Sequence, residues 1–299
     1  MLRAQLLLVA ATHASTKLPP VRHTADPQLF LMFSAARSGS DWLIDLLQTH
    51  ENVCVAFGQR EPRDVGRDVD AHVLIDNERV KHLIHRGEDI GSAYKAAAEY
   101  RLAHPKKHAI AKQPNINCSV IGWKNSALWV GGSRVNASDS DRASFARWIR
   151  DDHIKLMFMR RDQPLNWLVS KKRKALTDAM QAGSDSHCRS AECAAKMSEL
   201  KVTLRIDKLV STLEEFAHDW DVVFDWAREA FPSSQYHVVD YDALVNDTQG
   251  TLDETFRWLG LAPVTVHSSF VKTSSRRVED SIANLDDVRA ALKGTKWEI

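Results

Sequence analysis

The run Arg37-Ser38-Gly39-Ser40-Asp41-Trp42 carries the residue types that an oxyanion site needs. Gly39 lets the main chain approach an anion closely. Ser38 and Ser40 bring hydroxyl donors, and Arg37 brings a guanidinium able to grip two oxygens. The apolar stretch Leu29-Phe30-Leu31-Met32-Phe33 precedes the run, and Trp42, Leu43, Leu46 and Leu47 follow on one helical face. A buried strand that turns at once into a helix aims free N–H groups and the positive end of a helix dipole at one point. The segment therefore reads as a cradle for phosphate or sulfate. A plain helix N-cap by Ser38 or Ser40 accounts for the same residues equally well. It is not the ATP-type loop, because the chain has no Gly-Lys pair, and no G-x-G dinucleotide fingerprint occurs.

A second segment, Met159-Arg160-Arg161-Asp162-Gln163-Pro164, ends another apolar run and enters a helix that carries Ser170. Ligands gather at strand ends in parallel α/β sheets. An Arg at a strand end and a Ser on the following helix can converge on a second anion. Taken alone, surface ion pairs for Arg160 and Arg161 explain the segment better.

The elements that must hold these residues alternate between strand-like and helix-like runs, the pattern of a three-layer α/β domain with a mostly parallel central sheet and flanking helices. Strands are predicted at 29–33, 53–57, 119–123, 154–159 and 236–239. Helices are predicted at 39–48, 77–104, 139–150, 164–180, 207–231, 248–259 and 279–292, and 183–190 is a polar loop. Residues 1–26 are expected to form a poorly ordered leader and 27–299 a single domain.

With 299 residues, 44% hydrophobic and 26% charged, the chain is neither disordered nor collagen-like. Its net charge of +1 argues against a general nucleic-acid coat protein. Nine tryptophans leave room for stacking on a ligand, although core burial is the commoner use. Four cysteines, at 54, 118, 188 and 193, are too few for a disulfide framework. Cys188 and Cys193 are close enough in sequence to pair, with two free thiols as the preferred alternative. No C-x-x-C or H-E-x-x-H occurs, so no metal signature is present. The apolar run Leu6 to Ala11 is short for a signal peptide and too short to span a bilayer, and no other segment reads as transmembrane. Sequons at Asn117, Asn136 and Asn246 add little. The expected location is cytoplasmic, with a secretory lumen as the alternative.

Together the two anion segments resemble the superfamily of sulfotransferases that use 3′-phosphoadenosine 5′-phosphosulfate (PAPS). That family cradles the 5′-phosphosulfate with a (K/R)-S-G-(S/T)-x-W strand–loop–helix and holds the 3′-phosphate with a strand-end Arg and a helix Ser. The double-Arg variant looks most like bacterial-type carbohydrate sulfotransferases. Gly122-Trp123-Lys124 resembles the family's Gly-aromatic-Lys, Val238 to Leu244 its V-x-Y-E-D-L segment with Asp242 for Glu, and Ser281 to Val288 its C-terminal helix.

The resemblance implies a P-loop-like sulfotransferase fold and an enzyme that moves a sulfuryl group from PAPS to a hydroxyl of a carbohydrate or other small molecule, without a metal. Arg37, Ser38, Gly39, Ser40, Asp41, Trp42, Arg161, Ser170 and Arg276 are then the donor-binding residues. Arg37 and Lys124 are candidates to stabilise the leaving group. Related carbohydrate enzymes carry a Gly-Glu after the second strand, whereas this chain reads Gly58-Gln59, so Glu61 becomes the candidate general base. The run Lys171-Lys172-Arg173-Lys174 reads as a solvated helix face that raises local positive potential. Two alternatives remain open: a P-loop-type kinase, and a non-catalytic relative that binds a sugar or partner.

Overall fold

The computed structural model describes residues 22–35, 37–56, 91–93, 95–96, 99, 117–126, 138–179, 190–268, 270 and 277–299. Five strands form its sheet: β1 (Arg22–Ser34), β2 (Val53–Ala56), β3 (Asn117–Ser126), β4 (Lys155–Arg160) and β5 (Tyr236–Asp240). They lie in the order β2-β3-β1-β4-β5, and every pairing is parallel. All five C-terminal ends therefore share one edge. The first strand is central, and the order reverses around it, which creates the crevice where α/β proteins bind ligands.

The apolar runs make buried strands because both faces are covered. Side chains alternate along β1, so Phe30 and Met32 face one layer while Leu31 and Phe33 face the other. On the first side they meet helices α1 (Ser40–Leu47), α6 (Tyr241–Asn246) and α7 (Thr248–Leu259), through Leu43, Leu47, Leu244, Leu252 and Phe256. On the second they meet α2 (Asp139–Asp151), α3 (Pro164–Ala179) and α5 (Leu209–Ala230), through Phe145, Ile149, Leu168, Leu213 and Trp220. Each such side chain stabilises the fold by about 1.5–3 kcal/mol. Two further helices are α4 (Ala191–Glu199) and α8 (Leu285–Leu292). Among the described residues, no helix is long and apolar enough to cross a membrane.

Several elements differ from the sequence-based expectation. β1 starts at Arg22, inside the stretch read as a leader, and its pairing with β3 shifts between His23 and Gln28. Pro27 falls in that gap and has no N–H to give to a ladder. Helix α4 follows the polar loop, with Ser190 as its N-cap accepting from Cys193 N. The expected helix at 207–231 starts with a 3₁₀ turn, Ile206–Lys208. The C-terminal helix is a 3₁₀ turn, Val278–Ser281, followed by α8. The one or two helices expected at 77–104 lie mostly outside the described residues.

Cys54 and Cys118 form a disulfide between adjacent strands, a pairing the sequence reading did not anticipate. Both are buried in the sheet. Cys193 is also disulfide-bonded, while Cys188 lies outside the described residues. Tryptophan is used chiefly for packing, with Trp123, Trp148, Trp167 and Trp220 all buried. Gly122 is required by such packing: a Cβ there would sit 2.0 Å from Cζ of Phe30, its neighbour in register.

Candidate active site

The loop after β1 is shaped by two left-handed residues. Gly39 has φ 87° and is the N-cap of α1, in place of the Ser38 or Ser40 expected for a simple cap. It supplies no side-chain acceptor, so α1 starts without a side-chain cap. A Cβ at Gly39 would lie 2.5 Å from the Tyr241 ring. Tyr241 thus covers the loop, and its ring meets Trp42 edge-on at 6.2 Å. Arg37 has φ 69°, a strained value for a residue with a side chain. Ser38 Oγ donates to Ala35 O at 2.8 Å, so its hydroxyl hydrogen is spent on shaping the turn.

Two contacts hold Arg37 in that conformation. Arg161 Nη1 donates to Arg37 O at 3.3 Å, and Arg37 Nε donates to Ser170 Oγ at 3.4 Å. The strand-end Arg, the helix Ser and the loop Arg, far apart in sequence, thus form one continuous cluster at the C-terminal edge of the sheet. Arg37 turns its guanidinium toward α3, so the two basic groups adjoin each other.

Arg160 and Arg161 have opposite fates. Arg160 points outward, forms an ion pair with Asp162, lies 3.8 Å from Asp240 and rests over Phe224. It follows the surface-pair reading. Asp162 is held above the usual carboxylate range by partial burial and by the adjoining Asp240 carboxyl, against the pull of Arg160. Arg161 points inward, is 8% exposed, and stacks its guanidinium over Tyr241 at 4.5 Å. Burial is the main reason its pKa falls below the ordinary arginine value, and the Arg37 charge adds to it.

Lys124 stands on β3 opposite Met32 and forms a 2.6 Å ion pair with Asp41 in the first turn of α1. A carboxylate there would repel an anion at the helix start, and Lys124 offsets it. Glu61 and Arg276 lie outside the described residues. Among the described residues no cluster of three or more metal-ligating side chains occurs. Tyr241 and Arg173 were not singled out as site residues by sequence. The signals were present: Tyr241 follows the end of a strand, and Arg173 is three residues beyond Ser170 on one helix.

No family model matches this chain, and no curated protein matches it. Solved sulfotransferases do resemble it in structure. A sulfotransferase from Alicyclobacillus acidocaldarius is 12% identical, with a TM-score of 0.41 over 90% of this chain and 95% of that one. The sulfotransferase domain of the Synechococcus PCC 7002 olefin synthase is 13% identical, with a TM-score of 0.36 over 82% of this chain and 77% of that one. Sulfotransferase STF9 from Mycobacterium avium is 10% identical, with a TM-score of 0.40 over 90% of this chain and 76% of that one.

Proposed function

We propose that this chain is a sulfotransferase that moves a sulfuryl group from PAPS to a hydroxyl of a carbohydrate or other small molecule. The observation that carries the reading is the junction of Arg161, Arg37 and Ser170 beside the start of α1, where Gly39 gives no side-chain cap. One anion fits the N–H groups of Ser40, Asp41 and Trp42, the other fits Arg161 and Ser170, and Arg37 stands between them. A donor with both a 5′-phosphosulfate and a 3′-phosphate matches that layout.

The donor, once bound, supplies a sulfuryl group on a phosphosulfate anhydride. Transfer forms a bond from the acceptor oxygen to sulfur and breaks the bond from sulfur to the bridging oxygen. The residues of the chain serve this by positioning and by fixed positive charge. The N–H groups at the start of α1 hold the 5′-phosphate. Arg37 and Lys124 offset the charge that grows on the bridging oxygen. Glu61 takes the proton of the acceptor hydroxyl. The buried Cys54–Cys118 bridge and the bonded state of Cys193 support an oxidising compartment such as a secretory lumen over the cytoplasm.

Calorimetry of the full chain with 3′,5′-ADP and with ATP tests the reading. Binding of 3′,5′-ADP in preference to ATP is expected. Tight ATP binding with no response to 3′,5′-ADP would overturn it in favour of a kinase. A screen of alcohols with labelled PAPS then identifies the acceptor.

A further inference from the structure

The chain holds three Asn-x-Ser/Thr sequons, and the fold treats them differently. Asn136 lies outside the described residues. Asn117 opens β3, where its backbone pairs with Arg22 of β1, so its sequon runs straight into the sheet. That strand is an inner one, between β2 and β1. The middle residue of the sequon, Cys118, is buried and bonded to Cys54. A glycan is bulky and polar and has to stand in solvent. An inner strand is a poor place for one.

Asn246 has the opposite surroundings. It is the last residue of α6 and is exposed, as is Asp247 after it. Leu244, two residues earlier, is the buried residue of that helix. Two residues turn a helix by about 200° at 3.6 residues per turn, which carries Asn246 to the side facing solvent. Asp247 supplies both caps at this joint: its N–H donates to Ala243 O at 2.8 Å and its Oδ1 accepts from Gly250 N at 2.9 Å. The joint therefore does not need the Asn246 side chain. Thr248, the third residue of the sequon, donates its Oγ1 hydrogen to Leu244 O at 2.8 Å once the helices have formed.

Asparagine glycosylation takes place in a secretory lumen, where oxidising conditions also form disulfides. The Cys54–Cys118 bond and the bonded state of Cys193 support that compartment. We propose that Asn246 is an N-glycan acceptor, modified as the chain enters such a lumen, and that Asn117 stays bare. The co-reactant is a lipid-pyrophosphate-linked oligosaccharide. Nδ2 of Asn246 forms a bond to its anomeric carbon, and the bond from that carbon to the pyrophosphate oxygen breaks. The lipid pyrophosphate leaves with the electron pair, and the amide proton passes to the transferase. This inference rests on the compartment reading and not on the donor reading.

The test uses the full chain, directed into the endoplasmic reticulum of cultured cells by a cleavable signal. Enzymatic glycan release in heavy-oxygen water, followed by peptide mass spectrometry, reads each asparagine. Asn246 is expected to carry a glycan and Asn117 none. Asn246→Gln and Thr248→Ala should each abolish modification at 246, while Thr248→Ser should keep it. Transfer precedes folding, so a variant that folds poorly still reports. A bare Asn246 in chains whose Cys54 and Cys118 are linked would overturn the assignment, as would a glycan on Asn117 in those chains. Free thiols at 54 and 118 would instead overturn the compartment reading beneath it.

Discussion

The turns after β1 and β4 leave the same edge of the sheet and enter helices that flank it, yet they are built on different physics. The first relies on main chain: a left-handed glycine, a strained Arg37 and a helix start without a side-chain cap. The second relies on side chains: Arg161 and Arg173, both held almost wholly out of water, with Ser170 between them. Main-chain donors at a helix start accept any small oxyanion. Buried guanidinium groups are more demanding, since their burial is offset only by a partner of matching charge and shape. In the proposed reaction the β1 turn holds the 5′-phosphate, which 3′,5′-ADP and 5′-AMP share, and the β4 turn reads whether a 3′-phosphate is present.

The sharpest way to break this contrast is Gly39→Ala. A left-handed φ costs a residue with a Cβ roughly 1–2 kcal/mol, and the new atom meets the Tyr241 ring. Lower melting and at least about a tenfold loss of affinity are expected for both 3′,5′-ADP and 5′-AMP. An unchanged 5′-AMP affinity would show that the β1 turn does not hold the common part.

A smaller effect comes from the Lys124–Asp41 pair. Lys124→Ala leaves a carboxylate at the helix start, so nucleotide binding should fall by about tenfold. Adding Asp41→Asn should restore much of that loss, because the repulsion goes with the carboxylate. If the double variant binds no better than Lys124→Ala, the lysine acts on the ligand directly.

The smallest effect lies away from both turns. His237 on β5 is partly buried, stacks on Trp258 and meets Thr255 Oγ1 at 3.2 Å. Burial holds its pKa below the ordinary 6.5, with Glu254 opposing weakly. The unfolded chain therefore binds the proton first. Stability is full above about 6.5 and declines as pH falls from there through the folded pKa. A melting temperature measured against pH should show that decline, and His237→Phe should flatten it. A slope that survives in His237→Phe would place the titrating group elsewhere.

Much of the architecture could be read from the chain because buried parallel strands leave unbroken apolar runs. Leu29 to Phe33 and Ile154 to Met159 are such runs, and both form the centre of the sheet. The polar ends of β1 and β3 were missed because they pair with each other and carry no apolar signal of their own. Arg37 and Gly39 were chosen from residue type and element order, Arg161 and Ser170 only with the family resemblance added, and Arg37, Arg161 and Ser170 lie together in the structure. The Lys124–Asp41 pair and the inward turn of Arg173 were not legible. The first joins elements far apart in the chain. The second depends on which face of α3 packs, and a run of four basic residues conceals that.

The bond between Cys54 and Cys118 closes a circuit of 64 residues. Closing a loop of that size removes freedom from the unfolded chain worth about 4 kcal/mol. β2 is only four residues long and among the described residues pairs with β3 alone, so it would otherwise be the easiest of the described strands to peel away. The rivet therefore keeps β2 beside β3 even when the ladder between them opens.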